Sequence, residues 1–291
     1  MTARAFRRPD DLRLLLELEQ ELWRTSPDDV VCTFGQIAFW SAQLPHDDWE
    51  GRLWFDGEQL AGWGWLTSGT ELELQVRPTH RDVLEEILDW ASPTELLVDE
   101  RNADLVERLN ARGLVHLPDT FWMRKNARSL REIEEPRVPP GYRLSTMAEY
   151  EDTASRSAAH RAAFSPSRFT DAVYAVVRET WPYRADLDCV AVAPDGSVAS
   201  YTLAWLDEKN HVGEFEPVGT HEAHRRKGLG RAVNLFALQR LRDEGATEAL
   251  VGCRGDEAYP IPRKLYESVG FREFARFVSF GPPPEQPCRR V

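Results

Sequence analysis

The sequence has no apolar run near the roughly 18–20 residues that a membrane-spanning helix requires. Its N-terminus turns acidic at Asp10 without an apolar stretch, which is not the pattern of a secretory signal. Cysteine is scarce, and the chain has no CxxC pair among its four widely spaced residues, Cys32, Cys189, Cys253 and Cys288. This spacing argues against a zinc site or a disulfide framework and predicts free thiols in a reducing cytoplasm.

The chain also has fewer basic than acidic residues. The 291 residues include 36 Lys and Arg against 48 Asp and Glu, a net charge of −12. Residues 1–136 hold the whole excess, with 15 basic and 27 acidic side chains, whereas residues 137–291 contain 21 of each. A half this acidic repels phosphates, so the composition disfavours nucleic acid as a partner and directs the search for an anionic ligand to the second half.

Length and composition are those of a globular protein with about two domains. Hydrophobic residues make up 42% and charged residues 29% of the chain, which excludes disordered and collagen-like classes. Residues 134–141 contain three prolines and a glycine, a pattern that predicts an extended linker. We therefore predict a first domain at 1–133, the linker, a second domain at 142–280 and a disordered tail at 281–291.

The two halves begin and end alike, which predicts a tandem duplication. Short strands are predicted at 3–7 and 142–144, and a helix follows each of them. The first helix starts near residues 9–11, and the second is capped by Ser145 or Thr146 and runs towards residue 164. Each half closes with a short helix that ends at a glycine, Gly113 or Gly270, and then a strand.

Residues 212–246 predict a strand, a glycine-rich basic loop and a helix. The strand at 212–220 contains Pro217, which cannot donate a hydrogen bond and therefore predicts a bulge. Apolar positions of a helix continue to Gly245 after the loop, which reads Arg225-Arg226-Lys227-Gly228-Leu229-Gly230-Arg231. Glycines admit a close backbone approach and the first N–H groups of a helix bind anions, so the segment predicts a phosphate site; a solvated basic turn is the alternative.

The loop Arg225-x-x-Gly228-x-Gly230 resembles the pyrophosphate-binding loop of the GNAT superfamily of N-acetyltransferases. The closing segment 265–271, which reads LYESVGF and starts about 35 residues after the loop, is similar to the second hallmark of that family. The resemblance covers residues 142–280 and implies a fold of the α/β class (α+β, mixed sheet). It implies two tandem GNAT-like domains, each a central mixed β-sheet flanked by helices, with a splayed strand pair at the CoA site. The tandem arrangement with one degenerate copy is similar to that of the mycothiol-synthase family.

The resemblance implies transfer of an acetyl group from acetyl-CoA to an amine. The pyrophosphate would be held by backbone N–H groups of Arg226, Lys227, Gly228, Leu229 and Gly230, flanked by the side chains of Arg225 and Arg231. The pantetheine arm would pair with the backbone of Val218 and Thr220, which enclose Gly219. An N–H group of this strand would stabilise the oxyanion of the tetrahedral intermediate.

The same resemblance implies an acid and a base. Tyr266 lies where many GNAT enzymes carry a general acid that protonates the departing thiolate; plain helix packing is the alternative. A carboxylate on the splayed strand is the implied base. Glu214 lies eleven residues before the loop arginine, the offset of some histone-type GNAT enzymes, and Glu216 faces the same side. Either could act directly, through a water, or only as an anionic wall, and we interpret His221 and His224 as surface residues.

One part of the second hallmark departs from the family. GNAT sequences often carry Asn-x-x-Ala ahead of Leu-Tyr, whereas this chain has Tyr259 and Pro262 at those positions. The chain therefore lacks the asparagine that contacts the pantetheine region, and the helix is expected to begin at Pro262. The substrate pocket is expected to use the aromatic-rich stretch 164–183, for which core packing is the alternative.

The first half has lost the features of a CoA site. When Arg81 is aligned with the loop arginine of the second half, Leu84 and Glu86 occupy the two glycine positions. Leu109 occupies the position of the candidate acid. Side chains there would block the backbone approach and acids would repel a pyrophosphate, so this half is expected not to catalyse.

Together these patterns predict an acetyl-CoA-dependent N-acetyltransferase that acts on a small, cationic amine, without a metal and without a nucleic-acid or membrane partner. The alternative is a non-catalytic acyl-CoA-binding sensor that keeps the loop but has lost turnover. The fold hosts many acceptor amines, so it does not select one.

Overall fold

The computed structural model describes residues 1–43, 49–118 and 120–284. Its strands are β1 Thr2–Ala5, β2 Glu50–Asp56, β3 Gln59–Thr67, β4 Glu71–Val76, β5 Leu96–Asp99, β6 Val115–His116, β7 Trp122–Ser129, β8 Arg143–Thr146, β9 Asp188–Val192, β10 Val198–Asp207, β11 Val212–Thr220, β12 Glu248–Arg254 and β13 Arg272–Gly281. Its helices are α1 Leu12–Thr25, α2 Phe34–Gln43, α3 Val83–Ala91, α4 Ala103–Ala111, α5 Met147–Tyr150, α6 Thr153–Ala163, α7 Asp171–Glu179, α8 Leu229–Asp243 and α9 Ile261–Ser268. None of the described helices is long and apolar enough to cross a membrane. Of the tail predicted at 281–291, Gly281 ends β13, and residues 285–291 lie outside the described residues.

The strands form two sheets of the predicted α/β class. One is antiparallel with the order β1-β2-β3-β4, and the other has the order β5-β13-β7-β12-β11-β10-β9-β8, with β6 beside β13. In the second sheet β8 to β11 are antiparallel, and β12 then joins β11 in parallel. This change of direction makes the sheet mixed, as the resemblance implied.

The last strand of each half pairs with the other half. β7 runs antiparallel to β12, β13 runs antiparallel to β5, and β7 and β13 also pair with each other. The predicted linker 134–141 has no regular secondary structure and connects β7 to β8. Residues 1–133 therefore form the sheet β1-β2-β3-β4 alone, whereas the second sheet combines β5, β6 and β7 of that range with all strands of 142–280.

Most predicted elements are present, with one break that the sequence analysis missed. The single helix expected between Ser145 and residue 164 is two helices, α5 and α6, separated at Glu151, which has a φ of 61°. Asp152 starts the second of them, since its carboxylate accepts a hydrogen bond of 2.9 Å from the Ser155 N–H. The helix predicted at Pro262 begins one residue earlier, at Ile261.

The bulge predicted at Pro217 is confirmed. The register of β10 and β11 shifts between Thr202, opposite Val218, and Ala204, opposite Phe215, so two residues of β11 face one of β10. One apolar core spans both halves here, because side chains of α1 and α2 pack with Leu203 and Trp205 of β10. The burial of this shared core holds α2 over the face of β11 that carries the candidate base.

Candidate active site

The loop between β11 and α8 has the backbone conformation of an anion site. Arg226 and Gly228 have positive φ angles of 63° and 79°, and α8 begins at Leu229 directly afterwards. A Cβ at Gly228 would meet no atom within 4 Å, so this glycine provides left-handed backbone and leaves the helix start open. The first N–H groups of α8 have no partner within the helix and the helix dipole favours negative charge there, so this loop and helix start form a candidate anion site.

A cleft of about 440 Å³ opens in front of this loop, between β11, α8 and α9. Phe164 and Tyr259, which are 48% and 42% exposed, stand at its mouth. Its lining includes ten of the predicted site residues: Val218, Gly219, Thr220, Arg225, Arg226, Gly228, Leu229, Gly230, Arg231 and Tyr266. Lys227, Glu214 and Glu216 lie outside this lining.

β11 and β12 separate at the cleft. Their parallel pairing ends with Phe215 opposite Val251, so residues 218–220 have a strand partner only on the β10 side within the described residues. Gly219 is packed too tightly for any side chain, because a Cβ would lie 2.6 Å from Tyr201. An extended ligand arm can therefore lie along this unpaired edge as an added strand.

The basic side chains of the loop differ in their hydrogen-bond and ion-pair partners. Arg225 donates to the Ala163 carbonyl at 3.0 Å, and Lys227 donates to the Tyr142 hydroxyl at 2.9 Å. Arg231 pairs with Glu134 of the linker at 2.7 Å. Arg226 makes no side-chain hydrogen bond to the described part of the chain, so its guanidinium is free for a phosphate.

Glu214 is buried and held by the first half. It is 4% exposed, and its two carboxylate oxygens accept hydrogen bonds from the Thr33 hydroxyl and from the Gly35 N–H at 2.6 Å, at the start of α2. Burial raises its pKa, while the charge of Lys125 and these hydrogen bonds oppose the rise. This carboxylate therefore anchors α2 to β11, and its burial and these two hydrogen bonds restrict its access to a ligand.

Glu216 lies two residues further, at the bulge where β11 leaves β12. The Trp205 indole N–H donates to its backbone carbonyl at 2.6 Å, which fixes the bulge, and its half-buried side chain lies beside Trp40 of α2. Burial raises its pKa to about 7; the charge of Glu214 adds to the rise and Lys125 opposes it. A carboxyl that titrates near neutral pH is well matched to accept a proton in catalysis.

Tyr266 lies on α9 and lines the cleft. It is 6% exposed, and its ring packs edge-on against Phe271 at 6.0 Å between centroids. Burial raises its pKa well above the usual range, and the nearby Cys253 and Glu216 add to this. Its phenol therefore keeps its proton at neutral pH, and no hydrogen bond engages its hydroxyl within the described residues.

The equivalent place in the first half is closed. A cavity of only about 40 Å³, on the order of one or two waters, lies beside Leu84, which is 6% exposed. Arg81 is engaged by Asp29 at 3.5 Å and Asp104 at 3.2 Å. Both observations support the expectation that this half does not bind CoA.

The structure adds residues that the sequence analysis missed. Trp40 of α2 and Lys125 of β7 lie near Glu216, and Gln36 of α2 accepts a hydrogen bond from Lys125, although all three belong to the first half. No local motif marks them, because their position depends on the exchange of β7 and on the docking of α2. Of the aromatic stretch 164–183, Phe164 lines the cleft, whereas Tyr174 is buried in the shared core.

Residues 149–271 match the family model described as Acetyltransferase (GNAT) family. Mycothiol acetyltransferase of Saccharomonospora viridis is 28% identical over 229 residues, which cover 72% of this chain and 72% of that protein. Mycothiol acetyltransferase of Streptomyces coelicolor is 25% identical over 288 residues, or 90% of this chain and 89% of that protein. A tandem GNAT protein from the clavulanic acid biosynthesis pathway has the same fold, with a TM-score of 0.64 and 16% identity over 98% of this chain and 99% of that one.

The cleft, the loop and β11 all lie within the range that matches the model of the GNAT family of acetyltransferases. The whole chain has the tandem GNAT architecture. It is an N-acetyltransferase that uses acetyl-CoA as the acyl donor, and it is similar to mycothiol acetyltransferases over most of its length.

Proposed function

We propose that this enzyme transfers the acetyl group of acetyl-CoA to the amine of a small, cationic acceptor by direct attack through a tetrahedral intermediate. One observation carries the proposal: a single cleft runs from the anion loop along the free edge of β11 to Tyr266, and Glu216 lies where β11 and β12 separate. This arrangement supports a mechanism in which donor and base meet at the gap between β11 and β12.

The donor is positioned by backbone groups in this proposal. The pyrophosphate accepts hydrogen bonds from the N–H groups of residues 226–230, and Arg226 adds positive charge. The pantetheine arm extends along residues 218–220, and an N–H group of this edge stabilises the oxyanion. The space left open by Gly228 and the tight packing of Gly219 both support this path.

Glu216 is the base that the contacts favour. Glu214 has the offset from Arg225 that some related enzymes use, but both of its oxygens are engaged by α2. Glu216 is less buried, and its raised pKa of about 7 gives a basicity suited to an ammonium substrate near neutral pH. It removes a proton from the acceptor, directly or through a water, before the amine attacks the acetyl carbonyl.

The acceptor is cationic in this proposal because the gap is bordered by carboxylates and aromatic faces. Glu214 and Glu216 share one side of β11, and Trp40, which is 39% exposed, can face an ammonium group. The acceptor of the mycothiol acetyltransferases is one candidate, because those relatives align along most of this chain.

Steady-state release of CoA tests the proposal against a non-catalytic sensor. The panel includes the acceptor of the mycothiol acetyltransferases, spermidine, glucosamine and an uncharged hydroxyl analogue of each amine. We expect release with at least one amine and none with the analogues. Tight acetyl-CoA binding without release for every amine would favour the sensor.

Replacement of Tyr266 by phenylalanine removes the proposed acid alone. Phe keeps the packing on Phe271, so kcat should fall by about 10–1,000-fold while the Kd for CoA is nearly unchanged. Tyr150→Phe is the matched control, because its hydroxyl donates to the Gly196 carbonyl and the residue does not line the cleft. An unchanged kcat, with chemistry shown to be rate-limiting, would indicate that Tyr266 contributes only to packing.

A further inference from the structure

We propose that Lys125, on the strand that the degenerate first half inserts into the second sheet, is a positioning residue that keeps Glu216 ionised and ready to accept a proton. The inference rests on the proposed role of Glu216 as the base. It gives the first half a specific part in the chemistry, although that half has no CoA cleft of its own.

Strand register places Lys125 and Glu216 on one face of the sheet. Phe215 opposite Val251 is the last pair between β11 and β12, and the next residues along the two strands, where they separate, are Glu216 and Gly252. Gly252 in turn pairs with Lys125 of β7. Side chains at paired positions point to the same face, so Glu216 and Lys125 flank a residue that has no side chain.

The Lys125 side chain extends over Gly252. A Cβ at Gly252 would lie 4.0 Å from Lys125 Cδ, which places the stem of the lysine over β12. Its Nζ donates to Gln36 Oε1 at 2.6 Å, and its charge lies 5.5 Å from the centre of the Phe277 ring. The side chain is therefore held between α2 and the sheet, on the side where Glu216 stands.

Lys125 forms no direct ion pair with a carboxylate of the described residues. Lys125 is 8% exposed, and no carboxylate oxygen within the described residues lies within 4.0 Å of Nζ. A buried cation without an adjacent anion acts on carboxyl groups at longer range, where little water screens it. Glu214 and Glu216 both experience this charge, which opposes the rise of their pKa values.

Other titratable groups surround the pair. Glu214, Tyr201 and Tyr266 lie near Glu216, and Lys125 also acts on Glu19 of α1, Glu73 of β4 and Cys32. Burial raises the pKa of each of these groups, so each of them resists carrying a negative charge. Lys125 is thus the cation on this face that counters the burial of Glu216.

The sign of the effect follows directly. A positive charge stabilises the carboxylate and lowers its pKa, so removal of the charge must raise the pH at which Glu216 loses its proton. We expect the midpoint to rise by about one pH unit, the lower end of the effect of a nearby opposite charge. At pH values below the midpoint, a rise of one unit lowers the fraction of ionised Glu216 about tenfold.

Carbon-13 NMR of the full-length protein with labelled glutamate carboxyls tests the inference without any acceptor. The Glu216 signal is assigned by its loss in Glu216→Gln. The wild-type signal should titrate near pH 7, and Lys125→Met should move its midpoint up by about one pH unit. Lys209→Met, which removes an exposed lysine, is the matched control and should leave the midpoint in place.

A second variant covers the case in which Lys125→Met does not fold. Gln36→Glu replaces the amide that accepts from Lys125 Nζ by a carboxylate, which pairs with the lysine and neutralises its charge. The pH midpoint of the Glu216 titration should therefore rise again. Thermal unfolding and CoA binding report whether each variant is folded. A midpoint that stays at the wild-type value in the folded variants overturns the inference, even if Glu216→Gln abolishes turnover. Retained turnover in Glu216→Gln would instead overturn the proposed base.

Discussion

Gly228→Glu is expected to abolish acetyl-CoA binding and, with it, all turnover. The residue has a φ of 79°, and a Cβ there would point into open space where the pyrophosphate is proposed to lie. A glutamate there would bring a side chain and a negative charge into the place of the pyrophosphate. The left-handed backbone adds a penalty of about 1–2 kcal/mol for any residue with a Cβ.

Calorimetry with CoA measures this effect, and it also measures stoichiometry. The wild type should bind one CoA per chain, because the equivalent cavity of the first half is about 40 Å³ against about 440 Å³ in the second. Gly196→Glu is a matched control: its φ is 90° and its surroundings are equally open, but it does not line the cleft. Two equivalent sites in the wild type, or binding retained by Gly228→Glu, would contradict the assignment of the loop.

The sequence was most informative where the site depends on neighbouring residues. The loop and the helix after it depend on residues close together in the chain, so the pattern 225–231 predicted the left-handed turn at Gly228 and the start of α8 directly. Pro217 predicted the bulge for the same reason, because a missing N–H disrupts a ladder wherever the strand lies. Leu84 and Glu86 predicted that the first half lacks a CoA site, and the cavity beside Leu84 is only about 40 Å³.

The sequence was least informative where the site depends on distant segments. No periodicity reveals that β7 pairs with β12, or that β13 pairs with β5, since register between strands far apart in the chain is fixed by tertiary packing. Lys125 and Gln36 were missed for that reason. The choice between Glu214 and Glu216 needed the position of α2, whose first turn engages one carboxylate and leaves the other.

The two halves have therefore diverged in what they contribute. The second half supplies the cleft, the loop and the two candidate proton-transfer groups, Glu216 and Tyr266. The first half contributes α2, which anchors Glu214, and β7, which carries Lys125 into the second sheet. Separate expression of residues 142–280 would remove β7 from between β12 and β13, so it does not isolate the active domain intact.

Glu216→Gln is expected to reduce kcat by about 100–10,000-fold, the usual contribution of a positioned general base. The amide keeps the size of the side chain, and the Trp205 hydrogen bond to its backbone remains. In the wild type the rate should rise through a single ionisation near pH 7, because only the carboxylate accepts a proton and burial has raised its pKa to about that value. The variant should lose that rise.

Glu214→Gln provides the matched comparison on the same strand. Its carboxylate accepts from both Thr33 and the Gly35 N–H, and an amide nitrogen cannot accept, so we expect a loss of stability of about 1–3 kcal/mol with the pH profile retained. Urea unfolding measures the loss of stability. Profiles of rate against pH are measured with two amines of different basicity, because an ionisation whose midpoint changes with the pKa of the amine belongs to the substrate. If Glu214→Gln lost the rate and the profile while Glu216→Gln kept them, the offset from Arg225 would identify the base. Glu216 would then be part of an anionic wall beside the acceptor.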